Sequence, residues 1–251
     1  MFAPILIHEM RKHARAEYPR EAVGLVVGGE YVRLKNTHAN PEKFFDTDPE
    51  EVAQYSKTGK LEAMIHSHPK GPQWPSRADM AAQIAWGIPF GIVACSDQAA
   101  DKPFFWGDGV AIPDFIGRPF RHGVTDCYSL IRDWWRVHKK FTLPEIPRDW
   151  LWWERGADMY TTALQPAGFV ALEDGQELKA GDGFLSSVGS ETNIFNHAGI
   201  FIGNGSILHH VSKNGLGYDA GSPSRRTVLE AWTRTYPAKW FRHQSIGVLA
   251  A

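Results

Sequence analysis

Residues 64–79 read MIHSHPKGPQWPSRAD, and this stretch decides the fold of the N-terminal half and the chemistry expected there. Side chains alternate along a β-strand with a period of two residues, so His66 and His68 share one face and their rings can converge on one point. Asp79 follows His68 after ten intervening residues and can bring a carboxylate to the same point. Two imidazoles and one carboxylate leave a position open for water, which is typical of a hydrolytic zinc site.

The same stretch predicts where the next helix begins. Ser76 has the side chain of an N-cap, and Asp79 then lies in the first turn, before the run MAAQIAW at 80–86. The sequence therefore predicts a strand, a loop and a helix N-terminus folded around one ion.

A hydrolytic site also needs a general base, and Glu21 is the candidate. It precedes the apolar run of a predicted strand and follows a helix predicted over residues 5–16. A glutamate in this position can take a proton from water and pass it to the leaving amine.

Three motifs occur in order in this half: E-x-x-G-L at 21–25, H-S-H-P at 66–69 and S-x-x-D at 76–79. Together they resemble the JAMM (MPN+) metalloprotease family over roughly residues 1–108. The resemblance implies a β-sheet flanked by helices and a bound Zn2+. It also implies roles for five residues: acid/base for Glu21, metal ligands for His66, His68 and Asp79, and oxyanion stabilisation for Ser76.

The second half carries a different pattern around Cys127. The run GVTDCYSLIRDWW at 123–135 reads as a loop that enters an amphipathic helix, with Asp126 as its cap and Cys127 in its first turn. The positive end of the helix dipole favours a thiolate there. A cysteine peptidase further needs an imidazole beside the sulfur and a third group that orients the imidazole.

A predicted hairpin offers those histidines. The run NHAGIFIGNGSILHH at 196–210 has two β-like segments around a Gly-Asn-Gly turn. A two-residue Asn-Gly turn places His210 on the face of His197, whereas a three-residue turn with a bulge glycine places His209 there. The residues alone leave both registers open.

The Asp-Cys pair at a helix start, LKAGDG at 178–183 and HAGIFIGNG at 197–205 resemble the NlpC-type cysteine peptidases. The resemblance implies a papain-like fold in which the helix that carries the cysteine packs on an antiparallel sheet. It implies Cys127 as nucleophile, His197 as base and His209 as the orienting residue, hence the three-residue turn. This chain departs from the pattern in having Tyr-Ser after the cysteine, where most members have Ser-Gly.

Length and composition fit an α/β (α+β) protein of two domains. The run GDGVAIPD at 107–114 interrupts the patterns, which predicts domains over 1–110 and 111–251. A net charge of −1 argues against nucleic-acid binding. The first apolar run is too short for a signal peptide, no stretch approaches a membrane span, and two cysteines with separate roles suit a reducing cytosol.

Two features allow both a functional and a structural interpretation. The tryptophans at 150–153 can line a substrate cleft, although core packing is the more frequent use of such residues. Cys95 lies in an apolar run and is expected to pack in the core.

The order of the two halves resembles, over nearly the whole chain, the family of lambda-like phage tail tip assembly proteins. The resemblance implies a viral protein that helps to assemble a long non-contractile tail in the host bacterial cytoplasm, with other tail tip proteins as partners. The NlpC type cuts peptidoglycan stem peptides, typically between D-glutamate and the diamino acid, and the JAMM type hydrolyses peptide or isopeptide bonds. The target is a tail precursor protein, the cell wall or both, and a place in the virion tail tip is left open.

The alternative is a non-enzymatic tail tip protein that keeps peptidase folds as scaffolds. Decayed enzymes normally lose ligands or nucleophiles. This chain retains Glu21, His66, His68, Asp79, Cys127 and His197. The sequence therefore favours a peptidase.

Overall fold

The computed structural model of the protein describes residues 1–247. The chain divides into two compact units, Met1–Ala111 and Ile112–Ala251, and each has its own sheet and helices. The predicted α/β (α+β) class is confirmed. Among the described residues, no helix is both long and apolar enough to cross a membrane.

The first unit is built on a five-stranded sheet with strand order β2-β1-β3-β4-β5, in which β3 and β4 run parallel and the other neighbours antiparallel. Its elements are α1 (Pro4–Glu17), β1 (Val23–Val27), β2 (Glu30–Leu34), α2 (Pro49–Lys57), β3 (Leu61–Pro69), α3 (Arg77–Trp86), β4 (Phe90–Cys95) and β5 (Phe104–Trp106). The strand that carries the two candidate histidine ligands, β3, is therefore the central one.

The helix predicted over residues 5–16 is α1, and its apolar stripe explains its place in the fold. Leu6, Met10 and Ala14 follow one another at intervals of four residues, so they lie on one face of the helix. They are buried in the same core as strand residues such as Val26 and Ile65. Cys95 belongs to this core as well, as expected.

The second unit has a six-stranded antiparallel sheet, with strand order β12-β10-β9-β8-β13-β7, and a separate pair of strands, β11 and β6. Its elements are β6 (Pro119–Arg121), α4 (Cys127–His138), α5 (Met159–Leu164), β7 (Phe169–Ala171), β8 (Gly183–Ser186), β9 (His197–Gly203), β10 (Ser206–His209), β11 (Tyr218–Pro223), β12 (Arg225–Val228), α6 (Leu229–Thr235) and β13 (Lys239–His243). Short 3-10 turns lie at Trp152–Arg155 and Gln244–Gly247.

The long helix of this unit, α4, packs on the sheet through its apolar face. Leu130, Ile131 and Trp134 are buried in one core with Ala198 and Ile200 of β9. This packing brings the N-terminus of α4 close to the start of β9. The sequence prediction of a cysteine-bearing helix on an antiparallel sheet is thus confirmed.

Candidate active sites

The central strand β3 presents His66 and His68 on one face, and both side chains are buried. Backbone pairing on both sides, with β1 and β4, fixes the position of the strand. The Nε2 atoms of the two histidines lie 3.1 Å apart. Carboxylate oxygens of Asp79 lie 3.4 Å from Nε2 of His66 and 3.5 Å from Nε2 of His68. The structure thus brings the three predicted ligands together.

The donor atoms fit a zinc ion. Ligands about 2.0–2.2 Å from zinc in a tetrahedron are separated by about 3.3–3.5 Å, which is close to the separations found here. Nδ1 of His68 lies 2.8 Å from the carbonyl oxygen of Pro72, and a hydrogen bond donated there leaves the Nε2 lone pair free for a metal. Within the described part of the chain, His66, His68 and Asp79 are the cluster of such side chains that could hold a metal ion.

Asp79 is held in place by the start of α3. Ser76 is the N-cap, as predicted, and forms a capping box with Asp79. The Ser76 hydroxyl accepts a hydrogen bond from the Asp79 amide and donates one of 2.7 Å to Oδ2 of Asp79. The resemblance implies that Ser76 stabilises an oxyanion. For that role the hydroxyl must give up its hydrogen bond to the Asp79 carboxylate and donate to the substrate instead.

The charge of Asp79 follows from its neighbours. Burial raises the pKa of this carboxyl, but the charges and hydrogen bonds of His66 and His68 outweigh burial and hold the pKa below its usual range. Asp79 is therefore ionised at neutral pH, as a metal ligand must be.

Glu21 lies just before β1 and lines the same cavity, of about 540 Å³, as His68, Ser76 and Asp79. Its side chain is buried. Burial, reinforced by the charge of Asp79 and opposed by His68, raises the pKa of Glu21 to about 7. A carboxyl group with a pKa near 7 can both accept and release a proton at neutral pH, which suits a general acid/base.

A loop between β2 and α2 forms one side of this cavity, and no sequence motif indicated it. Asn36 donates hydrogen bonds of 3.0 Å to the carbonyl oxygens of Glu21 and Phe44. The neighbouring Phe45 ring lies 4.7 Å from the ring of His66. Asn36 could not be found from the sequence, because its partners are backbone atoms that any residue supplies.

The second site begins at the N-cap of α4. Asp126 caps the helix, as predicted, and accepts hydrogen bonds from the backbone amides of Ser129 and Gly123. The buried guanidinium of Arg148 donates to both carboxylate oxygens, at 2.8 and 2.7 Å. Burial raises the pKa of Asp126, but Arg148, His122 and the two backbone hydrogen bonds together outweigh burial and keep the carboxyl ionised. This ion pair, which sequence reasoning missed, fixes the start of the helix and hence Cys127.

Cys127 does not have the ionisation expected from its place at a helix start. Its side chain is buried, and burial together with the charge of Asp126 raises the pKa of the thiol to about 11. The expectation that the helix dipole favours a resting thiolate is therefore wrong, because desolvation is the larger effect here. The Cys127 Sγ lies 3.1 Å from the hydroxyl of Tyr160.

His197 is the first residue of β9 and lines the same cavity, of about 570 Å³, as Cys127. Burial lowers the pKa of His197 well below its usual value, so the imidazole is neutral. Its Nε2 atom is buried and has no hydrogen-bond partner among residues 1–247. The structure thus places the predicted nucleophile and base on one cavity.

The turn between β9 and β10 differs from the predicted three-residue turn. Asn204 and Gly205 alone form it, with φ values of 50° and 62°, and two positive φ values indicate a type I′ turn. Gly203 pairs with Ser206, after which the register shifts by one residue. A two-residue turn with an adjacent β-bulge thus replaces the three-residue turn. The register that the three-residue turn predicted is nevertheless the one observed, because Ile207 pairs with Phe201 and His209 with Gly199.

The bulge nevertheless places His209, and not His210, on the face of His197. His209 pairs with Gly199, two residues from His197, and the two histidine rings are 5.4 Å apart. The Nε2 atom of His209 lies 2.9 Å from the Thr227 hydroxyl, and its Nδ1 has no partner in the described chain. His210 instead bonds through Nε2 to the carbonyl oxygen of Ser222, at 2.7 Å, although it also lines the cavity.

The tryptophan cluster lines this cavity, a role that was not assigned from the sequence. Trp150, Trp152 and Trp153 all border it, while Trp152 is also part of the hydrophobic core. Trp152 and Trp153 meet edge to face, with ring centroids 5.3 Å apart. Three tryptophans within four positions were the sequence feature that pointed to this side of the cavity, which we call the tryptophan wall. Whether such residues line a cavity or fill the core depends on their burial, which the sequence does not show.

Two family matches divide the chain as the motifs do. Residues 4–107 match the family of prokaryotic homologs of the JAB domain. Residues 117–235 match the NlpC/P60 family. The two domain resemblances drawn from the sequence are thereby confirmed.

Three known proteins are similar to this chain. Tail tip assembly protein K of Escherichia phage lambda is 31% identical over 199 residues, which are 78% of this chain and 89% of that protein. Tail tip assembly protein K of Escherichia phage N15 is 29% identical over 211 residues, 82% of this chain and 84% of that protein. The probable TtuB-protein conjugate cleaving protease of Thermus thermophilus is 35% identical over 94 residues, 34% of this chain and 63% of that protein.

Proposed function

This chain belongs to the tail tip assembly protein K family, and from that premise we propose that it is a phage tail assembly protein with two peptidase sites. The first is a zinc-dependent (iso)peptidase and the second an NlpC-type cysteine peptidase. The observation that carries the proposal is the convergence of His66, His68 and Asp79 to separations of 3.1–3.5 Å next to a cavity that Glu21 lines.

The first site has the parts that peptide hydrolysis needs. Zn2+ held by His66, His68 and Asp79 would act as a Lewis acid on the scissile carbonyl. Glu21, whose pKa is about 7, takes a proton from the attacking water and passes it to the leaving nitrogen. The Thermus relative is named for cleaving TtuB-protein conjugates, and we extend hydrolysis of a peptide or isopeptide bond to this site.

At the second site Cys127 is the proposed nucleophile, His197 the base and His209 the residue that orients the base. Because burial keeps both the thiol and the imidazole neutral at rest, the proton passes from Sγ to His197 as the sulfur attacks. The imidazolium then protonates the leaving amine, and water hydrolyses the thioester. The proposed substrates are peptidoglycan stem peptides or a tail precursor protein.

Membership of this family also supports a proposal about where the protein acts. The proposed partners are other phage tail tip proteins, which the chain meets in the host bacterial cytoplasm during tail assembly. The virion tail tip is a second proposed location, because a peptidase carried there meets the cell wall during infection.

A scaffold without catalysis is the competing function, and one observation favours it. The sulfur of Cys127 is buried and lies within hydrogen-bond distance of the Tyr160 hydroxyl. The neutral thiol is a weaker nucleophile than a thiolate, which slows attack. A scaffold role predicts that the tail assembles normally when either site is inactivated.

Complementation separates the two functions. A phage that lacks this gene is supplied with the wild-type chain, Asp79→Asn or Cys127→Ala, and assembled tails and infectivity are scored separately. We expect each variant to lose at least one of these by a hundredfold or more, while Cys95→Ala, which changes a core cysteine, serves as the control. Full complementation by both variants contradicts the peptidase proposal and supports the scaffold.

Metal content tests the first site directly. Protein purified without chelator or histidine tag should contain about one zinc per chain by elemental analysis. Zinc should be lost from His66→Ala/His68→Ala and kept in His8→Ala, a change at an exposed position of α1. Zinc-free wild-type protein, or equal zinc in the double variant, contradicts the assignment.

A further inference from the structure

A buried tyrosine hydroxyl touches the proposed nucleophile. The Oη atom of Tyr160, in α5, lies 3.1 Å from Sγ of Cys127. The two side chains are only 5% and 6% exposed, and both line the cavity that contains His197. A backbone hydrogen bond from Ala198 also lowers the pKa of this thiol.

The hydroxyl is the donor whenever the sulfur carries charge. Burial and the proximity of Cys127 raise the pKa of Tyr160 well above its usual value, so the phenol keeps its proton. The hydrogen bond from Tyr160 lowers the pKa of Cys127, although burial and Asp126 raise it by more. Tyr160 is therefore a polar side chain that offsets the desolvation of this thiol.

A second donor lies beside the sulfur. Cys127 is the first residue of α4, and amides in the first turn of a helix have no carbonyl partner within it. In acyl transfer the carbonyl carbon bonds to the sulfur, so the carbonyl oxygen comes to lie among the donors that surround the sulfur. The Tyr160 hydroxyl and the Cys127 amide are placed to receive that oxygen.

We propose that Tyr160 is a catalytic residue of the cysteine site, whose hydroxyl donates a hydrogen bond first to the sulfur of Cys127 and then to the oxyanion of the tetrahedral intermediate. This inference rests on the proposed cysteine peptidase function. No motif marks Tyr160 in the sequence, because it lies 33 positions from the cysteine.

The proposed step balances in atoms and charge. The thiol proton passes from Sγ to His197, the S–C bond forms, and the π electrons of the carbonyl move to its oxygen. Tyr160 keeps its proton and shifts its hydrogen bond from sulfur to that oxygen. When the intermediate collapses, the C–N bond breaks, His197 returns the proton to the leaving nitrogen, and a thioester remains.

Simple packing is the alternative role for Tyr160. Its ring meets Trp152 and Tyr128, with centroids 5.0 and 6.2 Å apart. Tyr160→Phe keeps the ring and removes only the hydroxyl. Tyr128→Phe is the matched control, because the Tyr128 hydroxyl donates to the Pro144 carbonyl, at 2.6 Å, and does not contact the sulfur.

Alkylation of the full-length protein with iodoacetamide, followed at Cys127 by peptide mass spectrometry across pH, reports on the sulfur without any substrate. We expect Tyr160→Phe to shift the midpoint of the pH profile upward by about one to two pH units, the usual size of a lost hydrogen bond to a charged group. Tyr128→Phe should leave the midpoint unchanged.

Hydrolysis of the stem peptide L-Ala-γ-D-Glu-diaminopimelate-D-Ala reports on the oxyanion. We expect Tyr160→Phe to lower kcat about 10²–10³-fold with KM nearly unchanged, as for loss of one oxyanion donor. Tyr128→Phe should stay within about twofold of wild type.

The two measurements separate failure of this inference from failure of the proposed function. An unshifted midpoint in Tyr160→Phe overturns the proposal, and so does a shifted midpoint with unchanged kcat. If the wild-type chain cleaves no stem peptide, the proposed substrate is wrong, and the midpoint by itself then decides whether Tyr160 acts on the sulfur.

Discussion

At the scale of single residues, burial sets the ionisation of three proposed catalytic groups. It raises the pKa of Glu21 to about 7 and of Cys127 to about 11, and it lowers the pKa of His197. Each shift favours the neutral form, because charged groups lose hydration in the interior. At neutral pH Cys127 and His197 therefore rest uncharged, while Glu21 is divided between its protonated and ionised forms. Both sites depend on proton transfer during the reaction.

The choice between His209 and His210 is a prediction at this scale. We expect His209→Ala to lower cysteine peptidase activity about 10–100-fold, because its ring is 5.4 Å from His197 and fixed by Thr227. His210→Ala should have a much smaller effect, since its ring nitrogen bonds to Ser222. Stem-peptide turnover measures both variants. A larger loss in His210→Ala than in His209→Ala would show that the orienting residue is wrongly assigned.

At the scale of elements, helix caps position the reactive side chains. The capping box of α3 fixes Asp79, and the Asp126 cap of α4 fixes Cys127. In each case the oxygen of a short polar side chain accepts a hydrogen bond from a first-turn backbone amide that has no partner within the helix. The same local interactions that start the helix thus also set the geometry of the site.

Substitutions of Ser76 test whether the helix cap also positions the metal ligand Asp79. Ser76→Ala removes a hydrogen bond to the Asp79 amide and another to its carboxylate, so we expect about 1 kcal/mol lower stability and weaker zinc binding. Ser76→Thr keeps the hydroxyl and should restore both. Thermal unfolding and a competitive zinc chelator provide the measurements. Unchanged zinc affinity in Ser76→Ala would show that the cap does not position the ligand.

At the scale of the whole molecule, the two compact units lead us to predict independent folding. The connection near residue 111 is exposed in part and contains glycine and proline. Limited proteolysis should cut between residues 107 and 122 and leave two stable fragments, identified by mass spectrometry. A chain that resists cleavage there and unfolds in one inseparable transition argues for a single folding unit.

Acid should destabilise both units, because each buries a neutral histidine. Burial lowers the pKa of His13 in the first unit and of His122 in the second from 6.5 to about 4. Between pH 6.5 and 4 the unfolded chain binds more protons, so stability present at neutral pH is lost as the pH falls. His122 should contribute a loss of about 2 kcal/mol between pH 7.5 and 5.

Tryptophan fluorescence suits this measurement, since the second unit holds most of the ten tryptophans. The fall in Tm between pH 7.5 and 5 should be smaller in His122→Asn, which cannot take up a proton, and unchanged in His8→Asn, an exposed position. An identical pH slope in His122→Asn and wild type would refute the role of this histidine.

The sequence by itself determined the features that depend on residues close together in the chain. The period of a strand placed His66 and His68 on one face, and cap chemistry placed Ser76 and Asp126 at helix starts. The ordered motifs also gave both domain families. These predictions succeeded because backbone geometry fixes them over a few residues.

Only the tertiary structure decided what depends on distant packing and on burial. The Arg148–Asp126 pair, the Tyr160–Cys127 contact and the tryptophan wall join segments that no local pattern connects. The register of the hairpin was settled by a bulge beside a two-residue turn, which the sequence could not distinguish from a longer turn. The neutral state of the Cys127 thiol was also decided by tertiary packing. Desolvation depends on everything packed around the sulfur and not on its place in a helix.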